Sequence, residues 1–321
     1  MTTRRHAVVP VLGHEIQVTD QGRPGAEPLV MRHGLARTGR DFDDLARALS
    51  HNFFVLCAGT IGRGLSSWSD NPEAEHCLDF YTGIAAGLFD HYGLDRVGWI
   101  GTSMGALMGM RMTSGRRADR LAWLIVNDIG PVIPREAISR TLEYADSAAD
   151  FATLSAAEAW FRAAYAPFGP ADDAFWQHMA RTSVRCRADV RLTTHYDPVI
   201  TMQFTASPGD LTSWDRYERI TLPMHVLRGA SSDILRAGTA KLMAASGPRP
   251  EITLYRDCGH APSLSRPEDH ARLREIIADL TRRRPGLPGA GGRLRRVSPG
   301  GGRSGRFPAG TGQPGPLPHV R

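Results

Sequence analysis

Short apolar runs separated by helical patterns constrain this chain more than any other feature. "PLVM" (28–31), "FFVLC" (53–57), "RVGWI" (96–100), "LAWLIV" (121–126), "MHVLR" (224–228) and "EITLYR" (251–256) carry β-branched, aromatic and other large apolar residues. Runs this short and continuous suit strands buried on both faces, the environment of a parallel sheet. Residues 7–12 and 15–19 add a hairpin turning at Gly13-His14. Helical patterns lie between the runs. The clearest spans 74–92, where Cys77, Leu78, Tyr81, Ile84, Ala85, Leu88, Phe89 and Tyr92 recur at helical steps and Gly93 stands at the C-cap. The alternation predicts an α/β fold: a mostly parallel eight-stranded sheet with helices on both faces.

The alternation stops near residue 131. From Val132 to about Ser213 the pattern reads as helical only, with Ser155-x-x-Glu158 as a capping box. Strands resume at Thr221-Leu222-Pro223. The organisation expected is a core of 1–131 and 214–283, with a helical cap, 132–213, inserted after the sixth strand as a lid over the sheet's carboxyl edge. Residues 284–321 hold 11 Gly, 7 Pro and 7 Arg with no acidic residue, and read as a disordered tail. The tail accounts for the excess charge of +6, so the body is near neutral. Its arginines are scattered and Phe307 is its lone aromatic, so an inert extension fits better than a nucleic-acid arm.

Cys57, Cys77, Cys186 and Cys258 are widely spaced with no C-x-x-C. That argues against a zinc site or a disulfide framework and for a reducing, cytoplasmic setting. The N-terminus reads as a first strand rather than a signal peptide, and no apolar run approaches a membrane span.

"GTSMG" (101–105) sits directly after one strand run and directly before the helical pattern "ALMGMRMTSG". A sharp strand-to-helix turn needs small residues at Gly101 and Gly105 and holds Ser103 at its apex. The helix start aims the Met104 N–H at a developing oxyanion. A serine nucleophile needs a base. His260, in "RDCGHAPSL" after the last strand, is the candidate. His33 is its rival, although Gly34 beside it suggests a loop whose Leu35 N–H is the second oxyanion donor. Asp233, ending "LRGASSD" beyond the seventh strand, is the acid expected to orient His260. Asp128, in "VNDIGP" after the sixth strand, is the alternative.

With these motifs in this order, residues 7–280 resemble the α/β-hydrolase superfamily. "HGLARTGRDF" is similar to its oxyanion loop, "IGRGLSSWS" to the turn after the fourth strand, "GTSMG" to its nucleophile elbow, "GASSD" to its acid loop and "GHAP" to its histidine loop. Two positions depart from the pattern. Gly59 stands where relatives usually carry Asp. Arg32 stands where they usually carry an apolar or aromatic residue.

The resemblance implies a serine hydrolase cleaving the ester of a small or medium acyl substrate, with no cofactor and no metal. Carbon–carbon bond hydrolysis, perhydrolysis and non-catalytic ligand binding are the alternatives on the same fold. The Asp nucleophile of epoxide hydrolases and dehalogenases is absent from the elbow. Oligomeric state and acyl size are not readable from the pattern.

Overall fold

A computed structural model of the chain describes residues 4–145 and 149–283. Its strands run in chain order as β1 (Arg4–Val11), β2 (His14–Gln21), β3 (Glu27–Arg32), β4 (Phe53–Ala58), β5 (Val97–Thr102), β6 (Leu121–Asn127), the short β7 (Asp150–Phe151), β8 (Val184–Cys186) and β9 (Leu192–Thr194), then β10 (Met224–Gly229) and β11 (Glu251–Tyr255). Eight of them form one sheet in the order β1-β2-β4-β3-β5-β6-β10-β11. Only the β1–β2 and β2–β4 pairs are antiparallel. The eight apolar runs of the sequence are these eight strands.

Two apolar layers cover the sheet. On one face Val30, Leu56, Trp99 and Leu124 pack with Tyr81, Leu88 and Met108 of the helices Leu78–His91 and Met104–Thr113. On the other, Met31, Val55, Ile100 and Ile125 pack with Leu45 and Ile277 of the helices Asp43–Leu49 and Pro267–Arg282. Adjacent strand residues thus point into opposite layers, which is why the runs read as continuous apolar stretches rather than alternating ones.

The helix expected over 74–92 is shorter. A four-residue helix, Pro72–Glu75, ends before it, and extended Cys77 caps the main helix, which begins at Leu78. Between β6 and β10 the chain makes a long excursion whose ends meet in a bridge between Val132 and Thr212. The excursion is not helical only. β7, β9 and β8 form a small antiparallel sheet beside the helices Leu154–Ala164 and Asp173–Ser183. Strands of two or three residues lack the length to display a period-2 pattern. Ser155 is not a cap: Thr153 caps the helix by accepting from the Ala156 N–H at 3.1 Å, and Ser155 lies inside it. Phe151, Phe161, Tyr165, Phe175, Trp176 and Met179 give this excursion a core of its own. The sequence expectation for residues 284–321 falls outside the described residues. No helix among the described residues is long and apolar enough to cross a membrane.

Candidate active site

The strand β5 delivers Ser103 to the carboxyl edge of the sheet, and the helix Met104–Thr113 leaves at once. The turn is tight enough to forbid side chains around it. A Cβ on Gly101 would lie 2.4 Å from the Ala106 nitrogen, and one on Gly105 would lie 2.2 Å from the Arg32 carbonyl oxygen. Ser103 itself sits at φ 52°, ψ −116°, a conformation that side-chain-bearing residues rarely adopt. Neighbouring hydrogen bonds hold it there. The Ser103 N–H donates to the Asn127 carbonyl (3.0 Å), and the Gly105 N–H donates to the His33 carbonyl (3.1 Å).

His260 comes from the loop after β11. Its Nε2 lies 3.0 Å from the Ser103 Oγ. Its Nδ1 lies 2.9 Å from Asp128 Oδ2. With the Nδ1 proton donated to the carboxylate, Nε2 is left as acceptor for the serine hydroxyl.

The acid on His260 is therefore Asp128, and the structure corrects the expectation of Asp233. Asp128 follows β6 at φ 60° and is fully buried. Burial of a carboxylate is costly unless its lone pairs are met. Here they are. Oδ1 accepts from the Gly229 N–H (2.8 Å), and Oδ2 accepts from the Ser232 hydroxyl (2.6 Å) as well as from His260. Asp233 lies one residue past Ser232, but its side chain is 50 % exposed. Both its oxygens are taken by Arg140, at 2.7 and 3.0 Å. The loop "GASSD" thus serves the site through Ser232 rather than through its aspartate.

His33 is not placed as a base; the structure gives it a different position. Its Nδ1 lies 2.7 Å from the Gly34 carbonyl oxygen, and its Nε2 lies 3.2 Å from Thr60 Oγ1. Arg32 donates from Nη2 to the same Thr60 oxygen at 3.0 Å. The donors run one way: guanidinium to threonine, threonine to His33 Nε2, His33 Nδ1–H to Gly34. Burial and then the neighbouring Arg32 charge hold the His33 pKa well below its ordinary value, so the ring stays neutral and can both accept and donate. The Arg37 N–H also reaches the Gly34 carbonyl, at 3.3 Å. In a trans peptide the N–H points opposite to the C=O. Pinning the Gly34 carbonyl therefore aims the Leu35 N–H the other way. Leu35, Met104, Ser103 and His260 line one cleft.

Arg32 is 1 % exposed, and its Nε and Nη1 have no hydrogen-bond partner. Burial and the nearby Arg63 charge lower its pKa to about 9. Gly59, the other departure, leaves a side chain little room: a Cβ there would fall 2.6 Å from Ser66 Oγ and 3.2 Å from the Gln17 carbonyl oxygen.

Sequence reasoning missed Asn127, Ser232 and the Arg32–Thr60–His33 chain. Asn127 links the elbow to the histidine loop, donating to Thr102 Oγ1 (3.0 Å) and to the Pro262 carbonyl (2.9 Å). Its place at the end of a buried strand, just before Asp128, was the available signal.

A strand–serine–helix turn at the edge of this sheet, with a histidine and a buried acid after it, belongs to a family, and the comparisons agree. The model of the alpha/beta hydrolase family matches residues 29–273, and the chain belongs to that family. It is 32 % identical over 265 residues to a 3-hydroxybutyrate-oligomer hydrolase of Cupriavidus necator, covering 79 % of this chain and 89 % of that protein. Over 137 residues it is 28 % identical to epoxide hydrolase A of Mycobacterium tuberculosis, covering 42 % of this chain and 41 % of that protein. An alpha/beta hydrolase from Novosphingobium aromaticivorans superposes with a TM-score of 0.77 at 28 % identity, covering 87 % of this chain and 99 % of that one. The protein is a hydrolase of this fold.

Proposed function

We propose that the chain is a serine hydrolase of carboxylic esters, and that oligomers of short hydroxy acids are its substrates. One observation carries the first part: the unbroken hydrogen-bond chain from Ser103 Oγ through His260 to Asp128. The similarity to the 3-hydroxybutyrate-oligomer hydrolase supports the second.

The reaction follows from the geometry. Ser103 Oγ attacks the ester carbonyl carbon while its proton passes to His260 Nε2. Asp128 holds the ring in the productive tautomer and stabilises the imidazolium. The carbonyl oxygen, now an anion, is met by the N–H groups of Leu35 and Met104. Met104 opens a helix, and the first N–H groups of a helix lack intrahelical acceptors. His260 gives its proton to the leaving alcohol as the C–O bond breaks. Water, deprotonated by His260, then attacks the acyl-serine; the proton returns to Ser103 and the acid leaves.

A serine at the elbow fits acyl transfer rather than epoxide opening. Serine attack on an epoxide would form an ether, which has no carbonyl for water to attack. The excursion after β6 supplies Ile133, Ile138, Tyr165, Phe175 and Phe204 to the cleft, and we assign it the role of a lid. The four cysteines are all free thiols, which supports a cytoplasmic setting.

Purified protein is tested against 3-hydroxybutyrate trimer and a nitrophenyl ester, beside labelling with a fluorophosphonate. Turnover and labelling are expected in the wild type, and both are expected to vanish in Ser103→Ala. Labelling that persists in Ser103→Ala would refute the assignment of the nucleophile.

A further inference from the structure

The cleft has two apolar walls that belong to different parts of the molecule. Met104, Leu107, Ile129 and Ile234 are buried in one of the two layers that cover the sheet, and Ile133 and Phe204 of the excursion pack against that layer. Tyr165, Phe168 and Phe175 belong instead to the excursion's own core. The histidine loop is tied to this second wall. The Gly259 N–H donates to the Pro167 carbonyl at 2.7 Å, and the Ser263 N–H donates to the Phe168 carbonyl at 3.3 Å. His260 hands its proton to the leaving alcohol, so the alcohol departs along the second wall. The acyl chain is left with the first wall, which begins at the oxyanion donor Met104.

Most polar side chains that line the cleft already have partners. Asp41 holds Arg37, and Asp233 holds Arg140. The Thr141 hydroxyl donates to the Ala137 carbonyl at 2.8 Å. Gln203 is different. It lines the cleft beside Phe204, and only 9 % of it is exposed. Among the described residues, neither end of its amide has a hydrogen-bond partner. Oε1 is fully enclosed, which leaves Nε2 as the end that keeps accessible surface. An amide left unbonded among apolar side chains is costly, and a substrate oxygen laid against this wall would relieve part of that cost. The amide is neutral, so it suits a hydroxyl or an ester oxygen rather than a carboxylate, which would find no counter-charge there.

We propose that Gln203 recognises an oxygen on C3 of the acyl chain, donating to it from Nε2, so that the cleft selects 3-hydroxyacyl esters over plain aliphatic ones. This rests on the ester-hydrolase reading above and narrows it. In an oligomer of 3-hydroxybutyrate the C3 oxygen is a free hydroxyl or the oxygen of the next ester, and either accepts a hydrogen bond.

The test compares the nitrophenyl esters of 3-hydroxybutyrate and 3-methylbutyrate. The two acyl groups have nearly the same shape, and the leaving group is identical. Wild-type protein is expected to favour the hydroxy ester by about tenfold or more in kcat/KM. Gln203→Leu, and separately Gln203→Met, are expected to bring that ratio close to one by slowing the hydroxy ester while the methyl ester holds its rate or gains. Equal wild-type rates on the two esters would overturn the proposal, and that comparison needs no variant. Variants that slow both esters by the same factor would overturn it too, since a merely structural glutamine would act on both alike. Absence of turnover on every nitrophenyl ester is a different result: it removes the ester-hydrolase reading itself.

Discussion

Asp128 and Asp233 follow two adjacent parallel strands, β6 and β10, and each stands where an acid could serve a histidine arriving from the next loop. Their surroundings differ in every respect. Asp128 is fully buried, with both oxygens satisfied by a backbone amide, a serine hydroxyl and the imidazole. Asp233 is half-exposed and meets one arginine whose own side chain is 43 % exposed. A carboxylate in the first setting has fixed geometry and little screening; one in the second shares its field with water. The contrast teaches that the acid is defined by the groups that pay its desolvation, and these lie far apart in the chain.

The largest effect that would break the comparison is kinetic. Asp128→Asn is expected to lower kcat on a nitrophenyl ester by about 10³–10⁴-fold, since the amide favours the wrong imidazole tautomer. Asp233→Asn is expected to cost less than about threefold. Steady-state rates of the two variants decide it, and a reversed order would return the acid to Asp233.

Stability sharpens the same contrast. Asp128→Ala strands the Gly229 N–H and the Ser232 hydroxyl in the interior, at about 1–3 kcal/mol for each buried group left unmet. Urea unfolding is expected to show that loss, whereas Asp233→Ala is expected to stay within about 0.5 kcal/mol of wild type.

A smaller effect concerns two arginines that differ in the way the aspartates do. Arg32→Met removes a buried cation without a carboxylate partner, and such replacements are often neutral or stabilising. It also removes the first donor of the chain that pins the Gly34 carbonyl. The expected outcome is an unchanged or raised melting temperature together with a kcat lowered about tenfold, less than the roughly 10²–10³-fold cost of losing an oxyanion donor outright, because the Leu35 N–H is misaligned rather than removed. Loss of both stability and rate would mean that Arg32 is simply structural. The smallest effect belongs to Arg140 and Asp233: a double-mutant cycle is expected to give a coupling below about 1 kcal/mol that weakens with added salt.

Much of this molecule was legible in advance. The central strands β3, β4, β5, β6 and β10 are legible because two-sided burial makes each of them a short apolar run, whereas β1 and β11 at the sheet's edges are largely exposed or alternating. Ser103 and His260 are legible because a nucleophile turn and a loop after the last strand are local features. The choice between Asp128 and Asp233 is not local. It depends on Gly229 and Ser232 closing around a residue about 100 positions earlier, and residue type alone does not reveal which acid will be enclosed. The short strands of the excursion escape for want of length. Thr153 escapes as a cap because Ser155 two residues on offers a matching pattern. Arg32 stands out in the sequence as an odd residue, but its link to Thr60 and His33 exists only once β3 and β4 lie side by side.

Ser103 and Asp128 share one more property: both sit at positive φ, 52° and 60°, at the ends of neighbouring strands. A side chain in that region costs of order 1–3 kcal/mol, and glycine would hold the same backbone at lower cost. At Ser103 the backbone alone would therefore favour the residue that ends the chemistry. Drift toward stability and drift toward inactivity run in the same direction there, so only continued use of the hydroxyl keeps the serine in place.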